Sequence, residues 1–188
     1  AVTDRRVCPP GGGWTTLVTS MFLHGSWAHL LGNMMFLWVF GNNVEDSMGH
    51  LRFLAFYLLG GLAAAFAHLL VNPTSGVPTV GASGAISGVM GAYMVLYPRA
   101  TVYVLMPLLF VVAMPAYLML GYWIVMQVFF GMLDLVGAGG GVAFWAHIGG
   151  FFAGIALLPL FVRRELVSAK RAKRRLSRRE IREHGWWW

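Results

Sequence analysis

Five apolar runs, each closed by polar, glycine or proline punctuation, follow one another along the chain: about Trp27 to Val44, Leu51 to Val71, Ser83 to Tyr97, Pro115 to Leu133 and Val142 to Val162. Runs of this length suit helices that cross all or most of a bilayer, and the pattern predicts an all-α polytopic membrane protein. Two stretches fit less simply. Trp14 to His24 reads as a short interfacial helix or loop, and Thr101 to Met114, apolar and β-branched but broken by Pro107 and closed by Pro115, reads as a re-entrant or interfacial piece or a lengthening of the fourth span. Three regions follow: an N-terminal loop or interfacial segment over residues 1–26, a membrane domain over 27–162 and a basic tail over 163–188.

Composition narrows the class. The 188 residues are 58% hydrophobic and only 11% charged, too greasy for a soluble core of this length. Cys8 is the single cysteine, so no disulfide framework or cysteine metal site is available. Ten of the fourteen Lys/Arg and three of the seven acids fall between Arg163 and Glu183, so the whole net charge of +7 sits in the tail. Such a tail suits a cytoplasmic juxtamembrane segment near anionic lipid headgroups, and without a folded basic module it gives no nucleic-acid reading. The polar, Pro/Gly-rich start lacks Met and a signal-peptide pattern, as expected of a chain whose upstream part is missing or that was cut in a loop.

Charge also orients the spans. With the tail in the cytoplasm and the spans alternating, Arg52 and Arg99 fall on the same side, while His29, Ser83 and His147 all fall at the outer ends of their helices. Ser83 to Pro98 is sixteen residues, roughly 24 Å of helix at 1.5 Å per residue, against a hydrocarbon layer of roughly 30 Å. The Ser83 end is therefore expected below the surface, under a water-filled cavity that solvates the backbone of Pro78 to Ala82.

A serine hydroxyl becomes a nucleophile when a histidine takes its proton. Ala146, Gly150 and Gly154 recur every four residues with His147 at the edge of their face, and Gly84, Gly88 and Gly91 give the third span a matching small-residue face. Packing those faces together brings Ser83 and His147 to one depth and within bonding distance. His29 and Asn33, four apart on the first span, are donor types suited to an oxyanion, as is the Ser83 backbone N–H. Metal ligation by His24, His29 and His147 is the weaker alternative, since no carboxylate or thiolate accompanies them. Glu45 and Asp46 lie at the cytoplasmic end of the first span and Asp134 is expected in the loop after the fourth, which favours a Ser-His dyad over a triad with an acid. The α/β-hydrolase elbow is absent, because position 85 is Ala.

With H29-L-L-G-N33, G41-N-N-V-E-D-S-M-G49, G81-A-S-G84 and A146-H-I-G-G-F-F-A-G154 in this order, the chain resembles the rhomboid family of intramembrane serine proteases over nearly its whole length. The resemblance implies a nucleophile at Ser83, a general base at His147, an oxyanion hole from His29, Asn33 and the Ser83 N–H, and close packing supported by Gly84, Gly150 and Gly154. It also implies cleavage of membrane proteins in or beside a transmembrane helix, no cofactor, and a six-helix core of which five helices are visible here. The compact core with its basic cytoplasmic end suits a multi-pass protein of a bacterial cell membrane, and the site residues suggest no metal. Many members carry an aromatic residue one turn after the nucleophile, where this chain has Ser87, so that orientation of the imidazole falls to neighbours such as Trp145 or Tyr93. A non-catalytic rhomboid-like protein that binds membrane helices is the alternative. A transporter with a histidine relay would need acidic partners in the membrane and inverted repeats, and the sequence has neither.

Overall fold

The computed structural model describes residues 15–73, 80–105, 110–136 and 142–168. The extreme N-terminus, Pro78 and Thr79, Pro107 and the tail beyond residue 168, with Trp186 to Trp188, lie outside the described residues. Helix α1 (Thr15–Thr19) and a 3-10 turn (Ser20–Phe22) lead into α2 (Trp27–Phe36), which continues through a wider π turn (Leu37–Gly41) into α3 (Asn42–Glu45). Then come α4 (His50–Val71), α5 (Ser83–Leu96), strands β1 (Thr101–Leu105) and β2 (Val111–Pro115), α6 (Ala116–Leu135) and α7 (Phe144–Phe161). All five apolar runs are thus helical. Among the described residues, α4, α6 and α7 are long and apolar enough to cross a membrane, and α5, with 14 residues, is shorter.

Punctuation residues set the helix limits. Ser26 caps α2, its hydroxyl accepting the His29 N–H at 3.1 Å. Gly49 (φ 86°) turns the chain sharply enough for α4 to run back. At the same end Ser47 bonds the Tyr97 hydroxyl at 2.6 Å and its carbonyl accepts the Arg163 N–H at 2.9 Å, so the α3–α4 joint, the end of α5 and the end of α7 are tied together.

Burial is uneven across the bundle. α5 is the central helix, with Gly84 to Tyr93 continuously buried, whereas α6 buries only Ala116, Leu120 and Gly131. The outer faces are apolar: Trp27, Trp38 and Leu51 are 80%, 72% and 84% exposed. Large apolar side chains this exposed belong in lipid, where hydrocarbon replaces the missing protein contacts.

Two local features differ from the sequence expectation. The stretch after α5 does not lengthen the fourth span; it forms two antiparallel strands in which Val102 faces Met114 and Val104 faces Val112 on the bundle side. Its outward row of Tyr103, Leu105 and Val111 is also apolar, which hid the period of two that marks a strand. Asp134 is in the last turn of α6 instead of the loop beyond it.

Candidate active site

The site begins with the crossing of α5 and α7. A Cβ built on Gly88 would sit 3.1 Å from the Gly150 carbonyl oxygen and 3.7 Å from the Gly154 Cα, and one on Gly154 would land on the backbone of Gly88. One on Gly84 would meet the Ala64 methyl at 2.7 Å, and one on Gly150 would strike the Gly84 carbonyl. Backbones can approach this closely only where no side chain stands between them. The crossing sets Ser83, the first residue of α5, beside His147 in the first turn of α7: Ser83 Oγ lies 2.8 Å from His147 Nε2.

Two further neighbours hold the imidazole and a third holds its backbone. Its Nδ1 lies 2.8 Å from Gln127 Oε1, and the Trp123 ring lies alongside with centroids 5.9 Å apart. Ser87, one turn after Ser83, donates its hydroxyl to the His147 carbonyl at 2.5 Å and so pins the α7 backbone. The expectation that Trp145 or Tyr93 orients the ring is corrected here. Trp145 packs at Gly131, and Tyr93 packs on Phe40 and Tyr97; the ring beside the imidazole comes from Trp123 on α6. Neither Trp123 nor Gln127 was singled out from sequence. The available signal was Gln127 itself, a lone amide midway along an apolar run.

Ser83 and His147 line a cavity of about 550 Å³ together with His29, Asn33, His68 and Asp134. Asp134, expected apart from this cluster, therefore reaches the same cavity, although the Nδ1 partner is Gln127. Asn33 is buried and its Nδ2 has no hydrogen-bond partner among the described residues. Gly81 (φ 117°) carries the chain over this pair: a Cβ there would lie 2.7 Å from His29 Cε1 and 3.6 Å from Asn33 Nδ2. A second cavity, of about 390 Å³, reaches Ser83 from the side of Leu17, Met21 and Ala64. His68 lines both cavities and was also missed from sequence. The three histidines weighed as metal ligands are divided: His24 and His29 meet edge to face at 5.2 Å, while His147 is engaged by Ser83 and Gln127.

A model of the rhomboid domain matches residues 11–164. The chain belongs to the rhomboid family. It is similar to RHOMBOID-like protein 5 of Arabidopsis thaliana, 31% identical over 160 residues that cover 82% of this chain and 46% of that protein. It is also similar to two Bacillus subtilis proteins. Rhomboid protease GluP is 42% identical over 81 residues, 43% of this chain and 15% of that protein; putative rhomboid protease YdcA is 36% identical over 93 residues, 50% and 46% respectively. The chain spans less than half the length of each of these relatives. Family membership and the three apolar helices make this rhomboid an integral membrane protein.

Proposed function

We propose that this rhomboid is an intramembrane serine endopeptidase that cleaves membrane proteins in or beside a transmembrane helix. The observation that carries the reading is the 2.8 Å contact between Ser83 Oγ and His147 Nε2 at the wall of a cavity with polar groups around it. As Ser83 Oγ attacks the scissile carbonyl, its proton passes to His147 Nε2. Negative charge then develops on the former carbonyl oxygen and is met by the Asn33 amide, His29 and the Ser83 backbone N–H; the unpartnered Asn33 Nδ2 is a donor held ready for it. Collapse breaks the C–N bond, His147 returns the proton to the departing amine, and water releases the acyl group by the same steps. A helical substrate must unwind locally first, because its carbonyls are occupied and its backbone is shielded.

The proposed location is a cell membrane of bacterial type, with the end of α7 on the cytoplasmic side, the basic tail near anionic headgroups and the cavity opening toward the outer face. This orientation rests on the placement of Arg52, Arg99 and the tail. The test is labelling of the detergent-solubilised protein with a fluorophosphonate, comparing Ser83→Ala and His147→Ala. Labelling of the parent protein that vanishes in both variants supports the protease. A folded parent that stays unlabelled while still capturing membrane helices overturns it in favour of a helix-binding rhomboid.

A further inference from the structure

Gln127 is the amide of an otherwise apolar midsection of α6, and an amide at membrane depth is costly unless it is hydrogen-bonded. Its bond is to His147 Nδ1, at 2.8 Å, and Trp123, one turn earlier on the same face of α6, flanks the same ring. A carboxamide oxygen only accepts, so the nitrogen facing Gln127 Oε1 carries the hydrogen. The other nitrogen, Nε2, then presents a lone pair to the Ser83 hydroxyl at 2.8 Å, the arrangement a base needs. The opposite tautomer would donate from Nε2 to Ser83 and could keep its Gln127 bond only with the amide turned over, so that the NH₂ group and not Oε1 faces Nδ1.

We infer that Gln127 is a positioning residue that holds His147 in its Nδ1–H tautomer and aims Nε2 at Ser83, the role a carboxylate fills in a three-residue arrangement. The inference rests on the Ser83–His147 reading. A neutral amide fixes the tautomer without placing a charge in an apolar region, where a carboxylate is expensive. Because Gln127 and Trp123 both belong to α6, orientation of the base depends on how that sparsely buried helix sits against α7.

The experiment uses the full chain in detergent micelles or nanodiscs, with ¹⁵N imidazole NMR of His147 and the rate of fluorophosphonate labelling read for the parent, Gln127→Leu and Gln127→Glu. In the parent, Nδ1 is expected to be the protonated nitrogen. In Gln127→Leu the tautomer shifts toward Nε2–H and labelling slows about 10- to 100-fold, the worth of one part-buried hydrogen bond whose loss also leaves an imidazole nitrogen unpaired. Gln127→Glu, which restores an acceptor, recovers the Nδ1–H signal and labels faster than the leucine variant. If the leucine variant does not fold, Gln127→Asn, one methylene short of Nδ1, is read in the same way. A parent with Nε2 protonated, or a folded leucine variant with parental tautomer and labelling rate, overturns the inference. Loss of the protease reading is distinguishable: a parent whose labelling does not depend on Ser83 refutes that reading, while the tautomer still decides the role of Gln127.

Discussion

Replacing Gly154 by alanine tests the geometric basis of the site at a distance from the chemistry. In a helix the change is favourable by about 0.5–1 kcal/mol on backbone entropy alone, so the sign of the outcome depends on the surroundings. Here the new methyl meets the Cα, C and O of Gly88, all backbone, with no flexible side chain to swing aside. The Gly88 oxygen would stand deepest inside the contact distance of that methyl, so reaching ordinary contact requires α5 and α7 to part by roughly 1.4 Å. Overpacking of this kind costs about 1–3 kcal/mol or more, which outweighs the entropic gain. The same separation would stretch the 2.8 Å Ser83–His147 contact beyond hydrogen-bond range, and a misplacement of about 1 Å costs on the order of 100-fold in rate. Gly88→Ala, at the same crossing, is the internal control. Its methyl meets the Gly150 oxygen at 3.1 Å and needs a shift of only a few tenths of an ångström, so a milder loss is expected. The assay is fluorophosphonate labelling rate alongside the thermal midpoint in one detergent. A Gly154→Ala protein that labels at the parental rate with an unchanged midpoint, or a Gly88→Ala protein more damaged than it, would refute the reasoning.

Three further outcomes follow from particular contacts. Asn33→Ala removes a buried donor facing the cavity and should lower kcat for peptide hydrolysis by about 100- to 1,000-fold while the Ser83–His147 contact persists; kcat and KM measured on one substrate check it. Gly81→Ala places a methyl against the His29 ring at a positive φ that L residues rarely adopt, so it should both slow labelling and lower the midpoint, the strain alone being about 1–3 kcal/mol. Tyr97→Phe removes the hydroxyl that bonds Ser47 at 2.6 Å, at the far end of α5 from Ser83; it should cost about 1 kcal/mol in unfolding measurements and leave the labelling rate unchanged.

Segment-scale features were legible in the chain itself. The five helices, the shortness of α5 and the small-residue faces of α5 and α7 could be read from hydropathy, length and spacing of four, because these are properties of one stretch at a time. Placing Ser83 and His147 at matching ends of two such faces was enough to bring them together. The hairpin over β1 and β2 was not legible, since its outward residues are as apolar as its inward ones and the alternation carries no contrast.

Rotation of one helix about its axis relative to another leaves no trace in hydropathy when both are apolar all round. The sequence by itself therefore determined the helical runs and the serine and histidine at matching ends of two of them. Only the tertiary structure decided that α6 turns Trp123 and Gln127 onto the imidazole, that Asp134 reaches the cavity without touching Nδ1, and that Gly81 leads the chain across His29 and Asn33. Those contacts are set by how whole helices settle against one another, and a change of rotation smaller than one residue step is enough to exchange one partner for the next.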